Sequence, residues 1–348
     1  MIAQDARWAA DVMMSAQNVP IIEGCLPLVV GHHVARIAYE GAEAIRSGKP
    51  IFGVPELAVL LDDQFAAITA IFRHVSKWLD NTSTNYESIV REIEDILERH
   101  GRTFPESTNL GLYRYRDSVV GATIPMAYRL GIDIEDGGRV SGEELREISE
   151  EWGRTLAVLG VAALDTSDYV PTFDFTQLGS VGLVDLSASE YLEGRFEKDF
   201  SVGLKLLLLA IEGDLNTSRL LLPHMAYGYE MSVFRMREVS LYHALTSLAK
   251  ISSRFSNLDT AGIEGLRSLL GDAPAERLRS QSGGLKVRDR CVHYPILNPT
   301  ITPDFSLPMY GLVEAVFPEY TWDQFYGEVI AVTNRVAEHL ATWTPSDD

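Results

Sequence analysis

TNYESIVREIEDILERHG (84–101) decides how the chain is read. Thr84 and Glu87 stand three apart, as in a capping box that opens a helix. Apolar residues then recur at Tyr86, Ile89, Val90, Ile93 and Leu97, the stripe of an amphipathic helix with one face on a core. The same grammar returns along the sequence. Ser141 with Glu144 opens a run carrying Leu145, Ile148, Trp152, Leu156 and Leu159. Thr321 with Gln324 opens another carrying Phe325, Val329, Val332, Val336 and Leu340. Further helices are expected over 5–15, 26–46, 55–79, 201–222, 226–254 and 260–271, while strand-like alternation is weak and strongest in TFDFTQLGSVGLVDL (172–186). The periodicity predicts an all-α protein with that stretch as a connector.

Composition narrows the function. The 348 residues carry 30 Lys+Arg against 49 Asp+Glu, a formal charge of −19, so a generally basic, nucleic-acid-coating protein is excluded and any phosphate contact must be local. Hydrophobic residues make up 46% and mean hydropathy is zero, ordinary values for a folded globular chain. Two cysteines, Cys25 and Cys291, support neither a disulfide framework nor a multi-cysteine metal centre and suit a reducing, cytoplasmic setting. MIAQDARWAADVM lacks the basic and apolar regions of a signal peptide, and the longest apolar run, Leu204 to Ile211, contains Lys205 and is too short to cross a bilayer. No membrane association, metal or cofactor is expected. Gly41 to Lys49 fails as a phosphate loop, because its glycines are spaced wrongly and Pro50 stands where Ser or Thr should follow. No histidine is preceded by Glu at the spacing of a diiron bundle.

An internal likeness links LYRYRDSVVGATIP (112–125) to GLKVRDRCVHYPI (284–296), with Arg116 and Arg288 lying 172 residues apart, close to half the chain. A long apolar helix and a shorter one precede each copy, and a capped helix follows each, with Ser141 matching Thr321. The expected organisation is a bundle over 1–170, a linker over 171–195 and a related bundle over 196–348.

The second copy reads Arg288-Asp289-Arg290-Cys291-Val292-His293, an R-D-x-x-x-H pattern between bundle helices. Here the chain resembles the HEPN superfamily of small helical bundles with an R-x(4–6)-H motif, many of them metal-independent ribonucleases of toxin–antitoxin, abortive-infection or CRISPR-linked systems. The resemblance implies that the halves pair as an intramolecular pseudo-dimer around one cleft. It makes His293 the general acid/base, Arg288 and Arg116 the cations that hold a phosphate, and Asp289 an orienting group. Arg290, Tyr294, Asp117 and Lys286 are further candidates for holding substrate. The chemistry is coherent: a histidine titrating near neutrality takes the 2′-OH proton, and a guanidinium fork meets the charge that gathers on phosphate. Arg277, Arg279, Lys286, Arg288 and Arg290 also form a local basic run. The first copy departs from the pattern, since Gly121 stands where a second histidine would fall.

The expected ligand is RNA or a nucleotide, with an antitoxin or other protein, or a second copy of the chain, as further partners. Other readings stand beside catalysis: a non-catalytic scaffold that binds a protein or nucleotide, or an accessory enzyme with a small-molecule pocket between helices. Structural roles compete residue by residue. Arg116 and Arg288 suit bundle salt bridges, His293 an interior position, Cys291 a small buried apolar site, and Tyr113 and Tyr115 an aromatic core. His32 and His33 suit core or solvent placement as well as a cleft or a metal.

Overall fold

Two long, almost wholly buried helices set the architecture of the computed structural model, which describes residues 1–16, 26–46, 72–80, 85–130, 142–161, 173–175, 178, 181–280, 287–294 and 302–346. In chain order the elements are α1 (Ile2–Ala16), α2 (Leu26–Arg46), a 3-10 turn (Trp78–Asp80), α3 (Tyr86–Thr103), β1 (Leu110–Tyr115), β2 (Ser118–Ala122), α4 (Thr123–Leu130) and α5 (Gly142–Val161). There follow β3 (Val181–Leu186), α6 (Ala188–Glu193), α7 (Val202–Asn216), α8 (Glu230–Arg254), α9 (Ala261–Leu270), α10 (Ala273–Ser280), α11 (Val287–His293), α12 (Leu312–Val316) and α13 (Trp322–Thr342). Most described residues are helical, and a small sheet is added to the all-α expectation.

The expected helix boundaries hold closely for α2, α8, α9 and α13. The capping box of Thr321 and Gln324 is formed in both directions. At α3 the cap is one residue later than the pattern suggests: Asn85 takes extended backbone and its side chain accepts the Ser88 N–H at 2.7 Å. Thr84 and Ser141, the other two expected caps, lie outside the described residues, as do 55–71 and Cys25.

The sheet corrects the reading of 112–125. That segment is an antiparallel hairpin rather than a bundle element, with Arg116 and Asp117 as its exposed two-residue turn and Arg116 at φ 56°. Aromatic and β-branched residues suit a pleated, half-buried surface, which is what Tyr113, Tyr115, Val119 and Val120 occupy. The strand order is β2-β1-β3, and β3 pairs antiparallel with β1 from Leu110↔Leu186 to Tyr115↔Val181. Part of the 172–186 stretch is therefore a strand. The two aligned motifs have different conformations, since Arg288 opens a helix.

Helix α7 is apolar over most of its surface and buried nearly all round, its Lys205, Glu212, Asp214 and Asn216 included, and lies across β2. The approach is close because Gly213 faces the backbone of Val120 and Gly121, where an added Cβ would come within 3.2 Å. Asn216 and Thr217 donate to the carbonyls of Val119 and Val120, tying helix end to strand. Gly121 is thus a packing position on the sheet. Two hydrophobic cores result, one running through residues from Trp78 to Trp343 and the other from Ile2 to Tyr294, so each draws on both halves of the chain. Among the described residues no helix is long and apolar enough to cross a membrane.

Candidate functional site

Helix α2 carries His32, His33, Arg36 and Glu40 at helical spacing within an otherwise apolar run, and all four are buried. A charged stripe buried this deeply must be matched by partners from other elements, since an unpaired buried charge is costly. Those partners come from α1, α8, α11 and the turn at 72–80.

His293, the last residue of α11, is the exposed end of this network. Its imidazole is 48% exposed while the Glu40 carboxylate beneath it is 7% exposed, and Nδ1 lies 2.9 Å from Glu40 Oε2. A carboxylate only accepts, so Nδ1 carries a hydrogen, and in the neutral ring the lone pair falls on Nε2. Among the described residues Nε2 has no hydrogen-bond partner. The other Glu40 oxygen accepts from Arg73 Nε at 3.0 Å. Burial alone would raise the Glu40 pKa, but the His293 hydrogen bond and the charge of Arg73 outweigh it and keep the group ionised. Glu40 therefore does two jobs: it sets the tautomer and plane of His293, and it neutralises Arg73.

Arg288 enters from one turn earlier on α11. It donates to Asp80 at 2.9 Å and to Asp289 at 2.9 Å, and its guanidinium lies 4.8 Å from the centre of the Tyr242 ring. Asp80 also accepts from His243 Nδ1 at 2.8 Å. Burial drives the His243 pKa down to about 4 against the opposing pull of that hydrogen bond, so the ring is neutral near pH 7. The turn that presents Asp80 is pinned to α8 by the Leu79 N–H donating to Ser247 and by Lys250 donating to the Leu79 carbonyl. Beside it, Lys77 is lowered to about 8, first by burial and then by the charges of Arg73 and Arg288. His74 on the same turn is exposed and feels His293 electrostatically.

Beneath these groups lies a fully buried anchor. Asp5 of α1 forms ion pairs with Arg235 of α8 and, at 3.5 Å, with Arg36 of α2. The Tyr294 hydroxyl donates to Asp5 at 2.5 Å, and Arg36 donates to the Cys291 carbonyl at 2.9 Å and to the Tyr294 oxygen at 3.3 Å. Burial would raise Asp5, yet Arg235 and then Arg36 hold it at about 2.

The structure brings Arg288, Asp289, His293 and Tyr294 of the expected site onto or just beyond one short helix, but separates their roles. Tyr294 is 1% exposed and belongs to the Asp5 anchor, and Cys291 is buried and free. Arg116 and Asp117 sit on the hairpin turn, where Arg116 stacks 5.1 Å from the Tyr115 ring centre and acts on His224. Neither contact involves Arg288 or His293. Arg290 is half-buried, and Lys286 lies outside the described residues. Within the basic run Arg277 is taken up by Glu328 and lies over Tyr320. Tyr113 and Tyr115 are core aromatics.

Glu40, Arg73, Lys77, Asp80 and His243 complete the site and were not among the expected residues. The available signal was the His32-His33-Arg36-Glu40 stripe, a polar series on the same side of a helix with little other charge. Arg73 and Asp80 border a segment whose pattern reads simply as amphipathic. Among the described residues no group of three or more His, Cys, Asp or Glu has the arrangement of a metal site. Comparison with family profiles, with characterised proteins and with solved structures returns no match for this chain.

Proposed function

We propose that the chain is an acid–base enzyme of phosphodiester chemistry, a HEPN-type endoribonuclease that needs no metal. The observation that carries this reading is the half-exposed His293 held through Nδ1 by the buried, Arg73-bound Glu40. In this reading Nε2 removes the 2′-OH proton, the resulting alkoxide attacks phosphorus, and the 5′-oxygen leaves with a proton returned by the imidazolium or by Lys77. Arg73, Arg288 and Lys77 provide the positive field in which charge develops on the phosphoryl oxygens. The two halves then meet around one site, as the HEPN resemblance implies, with the first half contributing Glu40, Arg73 and Lys77 in place of Arg116.

A second reading rests on a specific observation: Arg288 is already engaged by Asp80 and Asp289. A guanidinium so neutralised adds little to stabilising the charge of a transition state, which favours a binding role for the site over turnover. Single-stranded and structured RNA incubated in EDTA with wild type, His293→Ala and Glu40→Gln decides between them. Cleavage by wild type that disappears in His293→Ala supports the nuclease. Cleavage equal in wild type and His293→Ala refutes it, and saturable nucleotide binding without turnover establishes the second reading.

A further inference from the structure

Behind the His293–Glu40–Arg73 arrangement lies a small, partly open pocket lined by His32, His33 and Arg36 of α2, Arg73 and Ser76 of the turn at 72–80, Asp214, and Ser240 and His243 of α8. Among the described residues, several buried nitrogens around it lack a hydrogen-bond partner: Nε of Arg36, Nη2 of Arg73, both ring nitrogens of His32 and Nε2 of His33, with Arg36 Nη2 reaching only the Asp5 carboxylate at 3.5 Å. His32 is 8% exposed, His33 1%, Arg36 3% and Arg73 2%. Leaving a buried polar group unpaired is costly in a folded protein, so a cluster of them on one pocket points to a ligand.

The missing chemistry can be read from the inventory. Asp214, the carboxylate in the wall, is paired with Arg129 and accepts from Trp78 Nε1 at 2.9 Å, both through Oδ2. Asp5 and Glu40, which serve Arg36 and Arg73, are each shared with a second donor, Arg235 and His293 respectively. The wall therefore sets two guanidinium groups, Arg36 and Arg73, beside carboxylates that each serve another donor, while Ser76, Ser240 and the neutral rings can donate as well as accept. Water accepts twice but brings two hydrogens needing acceptors of their own, whereas an oxyanion only accepts. The histidines are held neutral, His32 by burial and then by Arg129 and Arg36, His33 by burial and then by its neighbour His32. A neutral ring still offers one N–H, and the two rings lie 3.9 Å apart, so both can serve one small group.

We infer that this cavity is a binding site for a phosphate group, held by Arg36, Arg73 and the N–H groups of His32 and His33. The site stands independently of whether His293 acts as an acid or base. Free phosphate and the phosphate of a nucleotide present the same chemistry, and the test separates them.

Purified full-length protein is titrated with inorganic phosphate, and separately with AMP, in chloride buffer at pH 7.5, using calorimetry and ³¹P NMR. Wild type is expected to bind about one equivalent of inorganic phosphate saturably. The His33→Leu and His32→Leu variants, each checked for native circular dichroism, should weaken binding at least about tenfold, the loss of one charge-assisted hydrogen bond. His293→Ala should bind as wild type does. Inorganic phosphate binding without AMP binding identifies a free anion, and tighter AMP binding identifies a nucleotide phosphate; both support the site. Should both leucine variants fail to fold, wild-type titration decides alone. Absence of saturable binding by wild type overturns the inference. So does binding lost in His293→Ala but kept in both leucine variants, which would put the anion in the open cleft. Saturable Zn²⁺ binding in place of phosphate overturns it as well.

Discussion

Replacing Asp5 with Asn tests whether the charged interior is organised as described. Asp5 is fully buried and is approached by two arginines and a tyrosine hydroxyl from three other helical segments. Asn keeps the shape and one acceptor oxygen but leaves Arg235 and Arg36 without their counter-charge. Removing one partner from a buried ion pair costs about 3–5 kcal/mol, because the other charge stays desolvated. A second route gives a lower bound: holding the carboxyl at about 2 rather than 3.8 corresponds to about 2 kcal/mol. The group is fully buried, so solvent screening does not discount this figure.

Urea unfolding of wild type and Asp5→Asn at pH 7, followed by far-ultraviolet circular dichroism, should show a loss of between about 2 and 5 kcal/mol. The pH dependence carries the sign. A carboxyl whose folded pKa is depressed stabilises the fold above its unfolded value and loses that contribution as pH falls through the folded one. The gap between wild type and variant should therefore be full above pH 3.8 and close progressively toward pH 2. Replacing the pair with apolar residues, Asp5→Leu with Arg235→Met, should recover only the part of the loss due to Arg235, since Arg36 and the Tyr294 hydroxyl still lose their acceptor. A loss below about 1 kcal/mol at pH 7, or a gap unchanged down to pH 2, would refute the reasoning.

Other predictions follow from single contacts. In the RNA assay His293→Ala should lower the cleavage rate by about 10²–10⁴, the usual contribution of a general base, and Glu40→Gln should cause a smaller loss with native stability measured alongside. Burial holds His243 neutral down to about pH 4 against an ordinary value of 6.5, so the unfolded chain binds the extra proton between those limits. Stability should fall by about 3 kcal/mol on its account as pH drops from 6.5 to 4, and His243→Gln should flatten that slope in urea titrations. Gly203→Ala places a Cβ 2.2 Å from the Val90 carbonyl oxygen, so α7 and α3 must separate. A destabilisation of about 2 kcal/mol or more is expected from thermal or urea unfolding, and none would mean the two helices do not approach as described.

The helices were legible where one face is buried and the other wet, because burial then writes a period into the sequence. Helices α3 and α13 show this, and α2 was placed from Leu26 to Arg46 by its apolar density. The hairpin was missed for the converse reason. In β1 five of six residues are buried, so Leu110, Gly111, Leu112, Tyr113 and Tyr115 show no alternation. The likeness of 112–125 to 284–296 lay in the dipeptide Arg-Asp and its flanks, and such short identity leaves backbone conformation to the tertiary surroundings. The site was legible only as His293 and Arg288. Glu40, Arg73, Asp80 and His243 come from elements far apart in sequence, and no spacing encodes their meeting.

Why the interior should carry so much charge has a physical answer in how its acceptors are shared. Buried ion pairs are weak evidence for stability, since apolar residues of the same volume often serve as well. Here each carboxylate is divided between donors on different elements: Asp5 between Arg36, Arg235 and Tyr294, Glu40 between Arg73 and His293, Asp80 between His243 and Arg288. Such sharing fixes the relative placement of α1, α2, α8 and α11 more tightly than apolar contact, because a slip of one element strands a charge on another. It also fixes the plane of His293 through Glu40, on the helix that carries Arg36. The same sharing leaves Arg36 and Arg73 beside His32 and His33 with counter-charges that other donors also use, and an anion from outside would complete their pairing. Positioning of the imidazole and affinity for an oxyanion are thus two consequences of one shortage of carboxylates.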